Sequence, residues 1–74
     1  MINPNLALRV ARVLQRRPQY ELAIAAKVSQ PALSLIERGY RQPSAAQAER
    51  LATALGSTVE NLLPAVKEKK TEKK

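Results

Sequence analysis

The side chains that most often perform catalysis are scarce in this sequence. It contains no Cys and no His, and its six acidic residues are all Glu, at positions 21, 37, 49, 60, 68 and 72. General acid–base catalysis, catalytic triads and metal sites draw mainly on His, Cys, Asp and Glu. The sequence therefore predicts no enzyme and no metal or cofactor site.

The sequence is instead rich in positively charged side chains, which are unevenly distributed along it. Lys and Arg number 13 against six acidic residues, which gives a formal net charge of +7. Between residues 9 and 41, seven cations stand against two anions, a difference of +5; the cations are Arg9, Arg12, Arg16, Arg17, Lys27, Arg38 and Arg41. Such a concentration is expected of a surface that binds a polyanion, although a charged, solvated helix face gives the same count.

The length and composition limit what can position these charges. Seventy-four residues suffice for one small domain, which we place at residues 1–66. A Lys-rich tail at 67–74 is expected to be disordered, and either adds attraction to phosphate or only solubilises the chain. No apolar run of membrane-spanning length and no signal-peptide pattern is present, and the absence of Cys fits a reducing compartment. We therefore expect a soluble, cytoplasmic protein.

Apolar spacing predicts helices and no strands. A first helix is expected from about residue 5 to residue 16, with a buried stripe at Leu6, Val10, Val13 and Leu14. Pro18 ends this helix, and a second is expected from about residue 19 to residue 26. Its apolar stripe consists of Leu22, Ala23 and Ala26.

The stretch AAKVSQPALSLIERG, residues 25–39, reads as the end of one helix, a turn and a second helix. Ser29 is a suitable N-cap, Pro31 suits the first turn, and Gly39 is a stop signal. Leu33 and Ile36 face inward, which leaves an outward set of Ser29, Gln30, Pro31, Ser34 and Leu35. Two helices joined in this way fit a helix-turn-helix, whose second helix enters the DNA major groove, about 12 Å wide.

Two further helices complete an all-α fold of five short helices. The fourth begins at a capping box from Ser44 to Gln47 and stops at Gly56; its predicted buried residues are Ala48, Leu51, Ala52 and Leu55. Thr58 caps the fifth helix, VENLL, and Pro64 ends it.

The segment from about residue 6 to residue 63 resembles the helix-turn-helix domain of the phage repressor and Cro family, also called the XRE family. The resemblance rests on QYELAIAAKVSQPALSLIERGYRQPS at residues 19–44 and LATALGSTVENLL at residues 51–63. It implies a compact five-helix bundle of the lambda-repressor type. Two positions depart from the family pattern. Lys27 stands where relatives usually have Gly in the turn, and Pro18 replaces the usual Ser or Thr cap.

The resemblance also implies roles for individual residues. Gln30 matches the principal base-reading position, where an amide pairs with adenine, and Gln19 matches a position that contacts phosphate and supports that amide. Leu35 either meets a thymine methyl, packs against a partner subunit or is simply exposed. Glu37 is expected to pair with Arg12. The remaining base-reading candidates are Ser29, Pro31 and Ser34, and the DNA-backbone candidates are Gln19, Lys27, Arg38, Tyr40, Arg41 and Gln42.

These roles predict a sequence-specific DNA-binding transcription regulator, most simply a repressor that binds a palindromic operator as a homodimer. A monomer of this size buries too little DNA surface for selective binding. The predicted dimer interface is the end of the chain, at Val59, Leu62, Leu63 and Val66, although these side chains also suit the monomer core. The alternative is a protein-binding module on the same fold, such as an antitoxin or a transcription coactivator.

Overall fold

The computed structural model describes residues 3–66; the predicted disordered tail at 67–74 lies outside the described residues. Five helices follow one another, α1 (Leu6–Leu14), α2 (Gln19–Ala26), α3 (Gln30–Arg38), α4 (Ala45–Ala54) and α5 (Val59–Leu62). Residues 64–66 form a further helical turn at the end of the described part. No strand occurs within residues 3–66, and the predicted all-α fold is confirmed.

Side-chain caps begin three of these helices where the sequence predicts them. Ser29 Oγ accepts a hydrogen bond from the Ala32 amide at 3.2 Å, and Thr58 Oγ1 accepts one from the Asn61 amide at 3.2 Å. At the start of α4 the Ser44 and Gln47 side chains form the reciprocal capping box. Each cap stabilises its helix by about 1 kcal/mol, because it satisfies an amide that has no partner inside the helix.

Residues in the left-handed conformation lie at the ends of α1, α2, α3 and α4. Gly39 and Gly56 have φ values of 84° and 68°. Lys27, the C-cap of α2, has φ 58° and ψ 42°. A side chain in this conformation costs roughly 1–2 kcal/mol. Lys27, where the resemblance leads one to expect Gly, therefore bears this strain. Arg16 has φ 57°, which ends α1 before the predicted boundary.

The core is built from small and aliphatic side chains contributed by all five helices. Its members are Leu8, Leu22, Ala23, Ala26, Leu33, Ile36, Ala48, Leu51, Ala52, Leu55, Leu62 and Leu63. The predicted buried stripes of α2, α3 and α4 are confirmed. Because many of these side chains are Ala, α2 packs directly against both α3 and α4.

The buried stripe predicted for α1 is wrong. Leu6, Val10, Val13 and Leu14 are 50%, 44%, 55% and 77% exposed. Leu8 faces the core instead, with the half-buried Ala11 beside it. Two polar side chains on the same side of α1 as Leu8 explain this orientation. Arg12 forms an ion pair with Glu37, and Gln15 Nε2 donates a hydrogen bond to the Leu55 carbonyl at 2.8 Å.

The leucines assigned to a dimer interface belong to the monomer core. Leu62 is 5% exposed and Leu63 is fully buried, because α5 packs across α1 and α4. Val59 and Val66 are half-buried and pack against the same core. The end of the described part, residues 59–66, therefore offers two partly exposed valines rather than a leucine surface.

Candidate nucleic-acid interface

The outward side of α3 carries a polar stripe at positions four residues apart. Gln30 and Arg38 are exposed and Ser34 is half-buried between them. Pro31 is exposed beside this stripe, and Leu35, 39% exposed, lies at its other edge. The inward side of α3 is anchored by Ala32, Leu33 and Ile36. Packing of three apolar residues thus fixes which side chains α3 presents to a partner.

A chain of hydrogen bonds connects the start of α3 to the interior. Gln30 Nε2 donates to Gln19 Oε1 at 3.3 Å, and Gln19 Nε2 donates to Glu37 Oε1 at 3.2 Å. Arg12 closes the chain with two bonds to the Glu37 carboxylate, Nε to Oε2 at 2.7 Å and Nη2 to Oε1 at 3.1 Å. We refer to Gln30, Gln19, Glu37 and Arg12 as the glutamine relay.

The ionised carboxylate at the base of the relay fixes the direction of each amide. A carboxylate only accepts hydrogen bonds, so Gln19 must present its amino group to Glu37 and its oxygen to Gln30. Gln30 must then give one N–H to Gln19. Its oxygen and its second N–H remain free and exposed, which is the acceptor–donor pair that an adenine edge requires.

The Arg12–Glu37 pair is also a structural anchor. The Glu37 side chain is 3% exposed and the Arg12 side chain 15% exposed. Arg12 Nη1 donates in addition to the Arg17 carbonyl at 2.8 Å, which ties the pair to the chain between α1 and α2. This is the ion pair that the family resemblance implies, and it joins α1, α2 and α3 at one point.

Several of the basic side chains are occupied by internal contacts. Arg12 is bound to Glu37, Arg17 donates to the Ala54 carbonyl, and Arg50 Nε donates to the Ala26 carbonyl at 2.7 Å. Arg9 and Arg38 instead line a cleft beside the relay, together with Ser34. These contacts occupy hydrogen-bond donors without removing charge, so fewer basic side chains are free to bind a ligand directly than the sequence count indicates.

The loop after α3 exposes the predicted backbone-contacting residues. Tyr40 is 77% exposed, and Arg41 and Gln42 are exposed beside it. Lys27 is exposed in the turn between α2 and α3, where no contact joins it to the relay. This loop lies at the opposite end of α3 from Gln30, so a partner that contacts both has to extend along the whole helix.

Two asparagines hold this loop and the end of α3 in place, and sequence reasoning missed both. Asn5, fully buried, uses Nδ2 to bind the Ile36 carbonyl at 2.8 Å, the Gln42 side chain at 2.8 Å and the Arg41 carbonyl at 3.4 Å. Asn3 Nδ2 donates to the Glu37 carbonyl at 2.7 Å. An Asn before a helix suggests a local N-cap, but Asn5 makes no such bond. The sequence carries no signal for these long-range contacts.

Other site chemistries find no support in the described residues. Within residues 3–66 no group of three or more His, Cys, Asp or Glu side chains lies close enough to hold a metal ion. None of the helices in this part of the chain is long and apolar enough to cross a membrane.

Comparison with known proteins agrees with this geometry. A helix-turn-helix family model matches residues 2–62. A solved structure of the clp gene regulator ClgR from Corynebacterium glutamicum is 30% identical with a TM-score of 0.77, covering 96% of this chain and 76% of that chain. A second ClgR structure is 32% identical with a TM-score of 0.76, covering 89% and 85%. A comparison with curated proteins gave no match. Because the family match spans most of the chain, the protein belongs to the XRE-type helix-turn-helix family, whose members are DNA-binding transcription regulators and not enzymes.

Proposed function

We propose that this protein is a sequence-specific regulator that reads DNA with α3 in the major groove. The observation that carries the proposal is the glutamine relay, because it leaves Gln30 with one free acceptor and one free donor in a fixed direction. An amide so directed pairs with adenine through its N7 acceptor and N6 donor. Each such pair contributes about 1–3 kcal/mol of discrimination against other bases.

The residues around Gln30 divide into two groups by what they offer DNA. Ser29, Pro31, Ser34 and Leu35 lie on or beside the outward face of α3 and are the further base-reading candidates. The side chains that suit phosphate oxygens are Gln19, Lys27, Arg38, Tyr40, Arg41 and Gln42. Contacts to phosphate position the protein on DNA and carry no direct sequence information.

The regulator acts in this proposal as a homodimer on a palindromic operator. One α3 covers only a few base pairs, and two half-sites about one helical turn apart, some 34–36 Å, give the selectivity that a monomer lacks. The half-buried Val59 and Val66 are the part of the predicted interface that remains available to a second copy. An operator occupied in this way is closed to the transcription machinery, so repression in the cytoplasm is the simplest outcome.

The test is selection of duplex DNA from a random pool by the purified protein at physiological salt. We expect an enriched palindrome with adenine at one symmetric position. Gln30→Ala should remove the preference at that position, whereas Arg41→Ala should weaken cognate and unrelated DNA alike and flatten the dependence of affinity on salt. Both residues are exposed, so neither substitution should disturb the fold.

Two results would contradict the proposal. If no sequence is enriched and all DNA binds with the same affinity, which only weakens as the salt concentration rises, the protein-binding module becomes the better interpretation. An enriched sequence whose base preference survives Gln30→Ala would show that the relay does not direct base recognition.

A further inference from the structure

The outer side of α1 carries an apolar stripe that the described chain leaves uncovered. Its members, Leu6, Val10, Val13 and Leu14, are between 44% and 77% exposed. Together with Arg9 they line one shallow groove. A single exposed apolar residue is ordinary, but four on one face of a nine-residue helix form a contiguous patch of the kind that marks an interaction site.

The monomer gains little from this stripe. α1 is already attached to the core through Leu8 and through the hydrogen bonds of Arg12 and Gln15, all on the opposite side of the helix. At exposed helix positions Val is a poorer helix former than Gln, Lys or Glu. The valines at positions 10 and 13 are therefore better explained by a partner than by the stability of the fold.

Charge around the stripe indicates what that partner carries. The first acidic residue of the chain is Glu21, so α1 and the residues before it contain cations and no anions. Arg9 borders the stripe.

A second copy of the chain is a poor match for the same reason. Two α1 helices packed antiparallel through their stripes would bring the two Arg9 side chains to the same side of the contact. No acidic residue of either α1 could offset them. Like charges placed so close together oppose association.

We propose that the α1 stripe docks an amphipathic helix of another protein, one whose apolar stripe is bordered by acidic residues. Leu6, Val10 and Val13 occupy positions i, i+4 and i+7, which is the spacing that one amphipathic helix presents to another. Arg9 pairs with an acidic residue at the border of the partner's stripe. The four apolar side chains line a groove separate from the cleft of Ser34 and Arg38, and Arg9 borders both.

The test uses displayed helical peptides with a fixed Leu stripe at i, i+3, i+4 and i+7 and with flanking positions that vary among Glu, Gln and Lys. Selection on the intact protein should enrich Glu beside the stripe. Fluorescence anisotropy then measures binding of the best peptide to the protein and its variants. We expect Val10→Gln with Val13→Gln to weaken binding at least about tenfold and Arg9→Gln to weaken it severalfold.

Ile24→Gln is the matched control, because Ile24 is 73% exposed on α2, outside the stripe. It should leave peptide binding unchanged. Circular dichroism should show all variants folded, since the substituted side chains are exposed. The double valine variant also keeps every residue assigned to DNA binding.

Four results of the peptide experiments would overturn the proposal. They are a selection that enriches nothing, enriched peptides without an excess of Glu, binding that survives the valine substitutions, and binding that Ile24→Gln abolishes equally. A protein dimer that sedimentation shows to dissociate in the double valine variant would assign the stripe to a second copy instead. Binding to phosphatidylserine vesicles that the same variant loses would assign it to a lipid surface.

Discussion

Removing Arg12 should destabilise the fold far more than neutralising its partner. In Arg12→Ala the Glu37 carboxylate, 3% exposed, keeps a single donor, Gln19 Nε2 at 3.2 Å. Leaving a buried charge without its counterion costs about 3–5 kcal/mol. A chain of this length has a total stability of about 4–11 kcal/mol, so the loss is a large part of the whole.

Glu37→Gln should cost much less, about 1–2 kcal/mol. Arg12 is more exposed than Glu37, 15% against 3%, and its guanidinium can turn toward water while the stem stays packed. The Gln oxygen still accepts one hydrogen bond. The double variant buries no unpaired charge. Adding Glu37→Gln to Arg12→Ala should therefore raise the free energy of unfolding by about 1–3 kcal/mol relative to Arg12→Ala alone.

Urea unfolding of the four proteins, followed by circular dichroism and extrapolated linearly to water, measures these differences. The slopes should agree, because the surface exposed on unfolding is nearly the same in each protein. An Arg12→Ala cost below about 1 kcal/mol would refute the buried-pair reasoning, since that is the value of a solvent-screened pair. A double variant less stable than Arg12→Ala alone would refute it as well.

Three smaller changes test other parts of the fold. Lys27→Gly should be more stable than Lys27→Ala by about 0.5–1 kcal/mol, because both lose the charge and only Gly relaxes a φ of 58°; equal thermal midpoints would contradict this. Gly39→Ala should lower the thermal unfolding midpoint more than Gly56→Ala does. A Cβ at position 39 would lie 2.5 Å from Asn3 Oδ1, whereas a Cβ at position 56 would have no atom within 4 Å. Adding Asn3→Ala to Gly39→Ala should reduce the difference between the two midpoints. Leu63→Glu should unfold the monomer, because Leu63 is fully buried, and a folded variant by circular dichroism would remove it from the core.

The parts of the fold that the sequence predicts well are set by neighbouring residues. Ser29, Ser44 and Thr58 each bind an amide three positions ahead, so the start of each helix is encoded within one turn. Gly39 and Gly56 end helices by a local backbone conformation. Boundaries of this kind require no knowledge of the tertiary structure.

The site is predictable only where a known family supplies the tertiary pairing. Gln19 and Gln30 are eleven residues apart, and their support relationship comes from the resemblance and not from their spacing. Asn5 reaches carbonyls and a side chain 31 to 37 residues away. The capping rule predicts that an Asn directly before a helix caps that helix. The rule considers only neighbouring residues, so it cannot predict a contact with a distant loop.

The error at α1 shows why periodicity alone does not determine which face of a helix is buried. Turning α1 to bury the four apolar side chains, three of them about half covered already and Leu14 77% exposed, would gain about 3–7 kcal/mol. It would expose Leu8, at about 1.5–3 kcal/mol, and would separate Arg12 from Glu37, at about 3–5 kcal/mol. The apolar terms alone favour the turned helix by about 2–4 kcal/mol. The buried ion pair, at about 3–5 kcal/mol, and the Gln15 hydrogen bond outweigh this gain and so determine the orientation. A helix with apolar residues on two sides is oriented by its polar side chains, and the apolar side turned away from them is left free to bind a partner.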